Sequence, residues 1–205
     1  MVNEKKTRIR RTKDVIDNQL MDAVCRVINE IGFSQLRINS VSEVAKVEKA
    51  YIYRNFDSFE NLLERYFMRN DFWERFIIQK TCSEHSENMK DMFVFYLTEL
   101  YKTINQKGEF ESVIRWEIAE PTPFILKYAK RRDFENKEFL QKNVDYFKDS
   151  EIDIEALYAL LISGIYYLTL HRNIASFCNI DFSTREGKKR LSNVIIKIAD
   201  LLFTK

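Results

Sequence analysis

Few side chains in this 205-residue chain are placed for covalent or metal chemistry. His85 stands in a polar run beside Ser86, and His171 precedes Arg172. Neither lies in an HExxH and neither has a second His or Cys at ligand spacing, so no metal site is expected. Cys25, Cys82 and Cys178 are odd in number and far apart. That fits the reduced thiols of a cytosol better than a disulfide framework. Cys25 falls on the apolar side of the first helical stretch, where a thiol is inert packing. Glu117 and Glu120 stand about one helical turn apart and could work as an acid–base pair, but so could many carboxylates on solvated helices. There is no SxxK. Gly32, Gly108, Gly164 and Gly187 lie too far apart to form a GxGxxG, a Walker A loop or a GxSxG. Dinucleotide-binding, P-loop and serine-hydrolase chemistry are thereby excluded. An enzyme is not expected, and no cofactor is implied.

Contact with phosphate is the chemistry that the residue types do support. The formal net charge is only +2, but it is unevenly spread. Residues 1–13 hold Lys5, Lys6, Arg8, Arg10, Arg11 and Lys13 against Glu4, a net of +5. Residues 1–56 carry +4 and residues 57–205 carry −2. A basic front end on a near-neutral body is an electrostatic footprint for a polyanion, the bland alternative being a solvated arm. No apolar region follows the basic start, as a secretory signal requires. The longest uncharged stretch, Ala156 to Leu170, has 15 residues, against roughly 18 for a spanning helix. The expectation is a cytoplasmic protein with no membrane partner.

The elements that must position these charges are helices. Gly and Pro together number six, far below the share that a sandwich or barrel needs for its turns. An all-α fold of about nine helices is expected. Ile16, Leu20, Ala23, Val24, Val27, Ile28 and Ile31 form one stripe on a helix from about Lys13 to Ile31, which Gly32 ends as a left-handed residue. Asn39 to Ala45, with Ser40 and Glu43 at capping-box spacing, and Glu48 to Asn55 read as short helices joined by Lys46 and Val47. Together the three make a helix-turn-helix candidate. Asp57 and Glu60 cap a fourth helix, whose apolar face (Leu62, Leu63, Tyr66, Phe67, Trp73, Phe76, Ile77) runs to about Lys80. A polar loop, Thr81 to Asn88, precedes a helix from Met89 that stops near Gly108. Helices then span about Phe110 to Ala119, ending before Pro121 and Pro123, and about Thr122 to Lys148. Ile154 to Phe177 is apolar nearly all round and must be covered on every side. Ser183 and Glu186 cap the last helix. Pairing these two helices across a two-fold axis would bury Ala159, Ser163 and Gly164, with Leu191, Val194, Ile195, Ile198 and Leu202 on the apolar face of the last helix. A single-chain core is the competing arrangement.

Residues 12–63 resemble the N-terminal domain of TetR/AcrR-type bacterial transcriptional regulators. Gly32-Phe33 matches the end of the family's first helix, and Val41-Ser42 stands for its Ile-Ala. Val47 keeps the turn valine, Ile52-Tyr53-Arg54-Asn55-Phe56 matches the recognition signature, and Leu62-Leu63 closes the pattern without a gap. Three positions depart from it: Lys46 replaces the turn glycine, Arg37 a threonine, and Phe59 a lysine. A turn with φ above zero at Lys46 would store strain of about 1 kcal/mol; the alternative is a right-handed turn.

The resemblance implies a homeodomain-like DNA-binding domain over 1–57 and a helical effector-binding and dimerisation domain over 58–205. It implies a recognition helix in the major groove, with Lys49, Ala50, Tyr51 and Arg54 at base edges. Tyr53 and Asn55 fall at phosphate-contacting positions, while Arg37 and Lys46 add positive charge nearby. For each the alternative is a solvated side chain and, for Tyr53, a core aromatic. An effector cavity is implied among the middle helices, with Phe93, Tyr96, Trp116, Tyr128 and Tyr166 as candidate walls and Glu117 or Glu120 as polar anchor. Core packing is the alternative for the aromatics. The implied function is a homodimeric, ligand-responsive repressor of a pseudo-palindromic duplex operator, released by a small apolar or aromatic effector. The rival is a regulator-like protein that has lost DNA binding and acts as a protein-binding co-regulator.

Overall fold

The computed structural model describes residues 12–69, 88–106, 108–119, 122–135 and 137–203. The basic arm (residues 1–11), the apolar positions Trp73, Phe76 and Ile77, the polar run 81–87 with Cys82 and His85, and Glu120 with Pro121 lie outside the described residues. All described elements are helical apart from one isolated bridge, between Phe177 and Ile180. The chain divides into two compact units, Met1–Arg69 and Asn70–Lys205.

In the first unit α1 (Lys13–Arg26) is extended by a π-helical turn, Val27–Ile31. Leu20, Ala23, Val24, Val27 and Ile28 are buried at the expected spacing, each large one contributing about 1.5–3 kcal/mol. The π turn, closed by Gly32 N–H on Val27 O at 2.8 Å, rotates Ile31 out to 51% exposure instead of continuing the stripe. Gly32 has φ 101 and ψ 158, which is not the left-handed helical conformation but an extended one open chiefly to glycine. Next come α2 (Ile38–Ala45), α3 (Lys49–Phe56) and α4 (Phe59–Arg69). Arg37 is extended before α2, so Ser40 lies inside the first turn and does not cap it. Asp57 takes φ 65 and turns the chain. Ser58 caps α4 instead, accepting from Asn61 N–H at 3.0 Å. Contacts of α4 with α1 and α3 place it in this compact unit.

The second unit is organised on α5 (Met89–Gln106), whose Met92, Phe93, Tyr96, Leu97, Leu100, Tyr101 and Ile104 are all buried. This helix stops at Gln106, close to Gly108 as expected, and Gly108 opens α6 (Gly108–Ala119). The long helix expected from Thr122 to Lys148 is two: α7 (Pro123–Glu135) and α8 (Lys137–Phe147). Tyr96 stacks on Phe139 at 4.5 Å, and the edge of Tyr158 meets both rings. The Tyr158 hydroxyl donates to Asn143 Oδ1 at 3.1 Å, and Asn143 Nδ2 donates to Phe139 O at 2.8 Å, which satisfies this buried amide.

Helix α9 (Ile154–His171) ends six residues earlier than expected, and a separate turn between Phe177 and Ile180 follows, in which Cys178 and Asn179 both have positive φ. By length and composition alone this 18-residue helix could cross a membrane, a test that the core helix of a soluble protein also passes; its uncharged stretch is the 15 residues from Ala156 to Leu170. It is not covered on every side, because Leu160 is 69% and Tyr167 48% exposed. Thr184, one residue beyond Ser183, caps α10 (Arg185–Leu202) by accepting from Gly187 N–H at 3.1 Å.

Candidate nucleic-acid interface

Two buried residues fix which face of α3 looks outward. Ile52 and Phe56, one turn apart, are 0% and 5% exposed. Lys49, Ala50, Tyr53 and Arg54 therefore form the outer face, and all four are exposed. Tyr53 is 54% exposed, so it is a surface side chain rather than a core aromatic. Between α2 and α3 Lys46 has φ 51 and ψ 43, the left-handed conformation. Lys46 N–H bonds Glu43 O at 3.2 Å and Val47 N–H bonds Ser42 O at 3.1 Å, a Schellman closure made without glycine. The turn is thus kept, with lysine bearing the strain. Arg37, Lys46 and Lys49 are exposed and form no ion pair among the described residues.

Tyr51 and Asn55 flank the outer face and are half-buried. Asn55 Nδ2 donates to Tyr51 O at 2.9 Å along the helix. The Tyr51 hydroxyl lies 3.1 Å from Asp17 Oδ1 and 3.4 Å from Lys13 O, both on α1. Burial, then its bond to the Asp17 carboxylate, raises the Tyr51 pKa above the ordinary tyrosine value. Asp17 Oδ2 in turn faces Arg65 Nη1 of α4 at 3.5 Å. Neither Asp17 nor Arg65 was singled out from sequence. A signal existed: Asp17 continues the spacing of buried Met21, Val24 and Ile28, where a carboxylate at 7% exposure needs partners.

The candidate effector walls all lie in the second unit. Phe93, Tyr96 and Trp116 are buried, while Tyr128 and Tyr166 are half-buried; Glu120 is outside the described residues. Phe93 packs on Tyr158 and Phe203, and Trp116 stacks on Phe124. Glu117 of α6 takes two parallel hydrogen bonds from Arg132 of α7, both 2.8 Å. Tyr128 and Tyr166 are electrostatically coupled to Arg132. Burial pushes the Tyr96 hydroxyl up to about 12, and raises Tyr166 as well, with Arg132 pulling both back. Tyr96, Tyr128 and Tyr166 thus gather around one Glu–Arg pair.

On α9 and α10, Ala159, Ser163 and Val194 are exposed, and Gly164, Leu191 and Ile198 are half-buried. Ile195 is 2% exposed and belongs to the core of the unit. Among the described residues no group of three His, Cys, Asp or Glu could hold a metal ion.

No family model matches the sequence, and no curated protein matches it. Solved structures do. A TetR-like transcriptional regulator from Rhodococcus sp. RHA1 aligns with a TM-score of 0.65 at 14% identity, over 96% of this chain and 100% of its own. The transcriptional regulator FadR from Bacillus subtilis, in complex with stearoyl-CoA, aligns at 0.64 and 16%, over 89% of this chain and 96% of its own. A TetR family regulator from Marinobacter aquaeolei VT8 aligns at 0.59 and 18%, over 90% and 95%. The fold is that of TetR-type transcriptional regulators.

Proposed function

We propose that the chain is a DNA-binding transcriptional regulator that works as a homodimer and answers to a small-molecule effector. The observation that carries this reading is the turn at Lys46, held in the left-handed conformation, followed by a helix whose outer face is Lys49, Ala50, Tyr53 and Arg54. Lysine and arginine there suit guanine O6 and N7, and Ala50 a thymine methyl. Tyr53, Asn55, Arg37 and Lys46 stand beside that face for phosphate contacts. The effector site is placed among Tyr96, Trp116, Tyr128 and Tyr166 beside the Glu117–Arg132 pair, and its ligand is apolar or planar. Repression is relieved when ligand binds the non-DNA-binding arrangement more tightly.

The test is to select duplex fragments from random DNA with the purified protein and measure affinity for them against salt. A regulator yields a pseudo-palindromic consensus and a steep log–log fall in affinity. A co-regulator that has lost DNA binding yields neither. A thermal-shift panel that includes aromatic compounds and long-chain acyl-CoA then tests the effector; no rise with any compound would defeat that part.

A further inference from the structure

We propose that Tyr51 is a positioning residue that holds Arg54 for the reading of DNA, and that Asp17 fixes Tyr51 in place. The inference rests on α3 being the DNA-reading helix and adds which residues make it rigid. The Arg54 guanidinium lies 5.7 Å from the centroid of the Tyr51 ring, within the range of cation–π attraction. That ring is fastened at its far end by the hydroxyl, which faces Asp17 Oδ1 at 3.1 Å and Lys13 O at 3.4 Å. Asp17 is nearly buried, so its carboxylate is held tightly by what surrounds it. The second oxygen of Asp17 meets Arg65 of α4, and the Arg65 guanidinium also lies 5.4 Å from the centroid of the Phe56 ring at the end of α3. One carboxylate therefore joins the first helix, the reading helix and the fourth helix. An arginine resting on an immobilised ring has fewer rotamers to surrender on meeting a base edge, so specific affinity rises through preorganisation. The hydroxyl of Tyr51 is spent inward and does not serve as a base donor.

The experiment uses the full-length protein, a duplex selected by the wild type, and a random-sequence duplex of equal length. Tyr51→Phe removes only the hydroxyl. It should lower affinity for the selected duplex by roughly tenfold, leaving random-duplex affinity and the salt slope unchanged. Asp17→Ala should do the same, and Asp17→Asn, which keeps an acceptor oxygen, should restore most of the loss. In an Arg54→Ala background Tyr51→Phe should cost nothing more, because Tyr51 acts through Arg54. Should Asp17→Ala fail to fold, Tyr51→Phe decides alone. A Tyr51→Phe protein that binds the selected duplex like wild type overturns the inference, as does a loss that persists in the Arg54→Ala background or falls equally on random duplex. A wild type with no salt-dependent duplex affinity defeats the DNA-binding reading itself, an outcome distinct from these.

Discussion

Lys46 separates fold from function within one side chain. In the left-handed conformation a Cβ costs about 1–2 kcal/mol relative to glycine, while glycine loosens the unfolded chain by about 0.4–1 kcal/mol. Lys46→Gly should therefore stabilise the first unit by about 0.5–1 kcal/mol in urea unfolding. The same change removes a cation, and if Lys46 meets a phosphate the log–log salt slope falls by about 0.9. A stabilised variant with an unchanged slope would mean that the lysine serves neither turn nor phosphate. At this position the sequence was informative, because a missing glycine is visible in a motif of fixed spacing. Asp17 was less so: its partners Tyr51 and Arg65 are remote in sequence, and periodicity carries no information about such pairs.

Among the elements, caps and breaks were the hardest to read. Ser58 and Thr184 each cap one residue beyond the position expected, because Asp-Ser and Ser-Thr pairs offer two equally suitable oxygens. The break between α7 and α8 has no Gly or Pro beside it, so the charged run from Arg131 to Lys137 reads as continuous helix. Buried stripes were legible wherever one face is buried, as in α5. At the start of α10 a Cβ built on Gly187 would stand 2.0 Å from Asp181 O, so Gly187→Ala should lower stability by about 1–3 kcal/mol in thermal unfolding. The aromatic centre of the second unit predicts a pH dependence. Burial pushes the Tyr96 hydroxyl up to about 12, above the ordinary tyrosine value, and raises Tyr158 and Tyr166 as well. The unfolded chain loses these protons first, so stability should hold to about pH 10 and fall as pH climbs toward 12. Alkaline unfolding that coincides with a rise in tyrosinate absorbance checks this; titration of all ten tyrosines near 10 in a still-folded protein would contradict it.

For the whole molecule the deciding question is what covers α9 and α10. Ala156, Ala159, Leu160, Ser163 and Tyr167 form an exposed stripe along α9, and Val194 and Leu201 add exposed apolar surface on α10. Gly164 has nothing within 4 Å of a built Cβ, so its small size serves no contact among the described residues. A second copy paired across a two-fold axis would cover such a stripe and present two reading helices to two half-sites. Leu160→Glu tests the link between assembly and DNA. Leu160 is 69% exposed, so the fold should change by no more than about 0.5 kcal/mol. A buried, unpaired carboxylate at a two-fold seam would nevertheless split the dimer, and sedimentation should report monomers. Affinity for the selected pseudo-palindrome should then fall by about 10²–10⁴, because the second half-site is no longer reached intramolecularly, while affinity for an isolated half-site stays unchanged. A Leu160→Glu protein that remains dimeric would move the interface elsewhere, and a monomer that binds the full site undiminished would show that α3 reads DNA as a single copy.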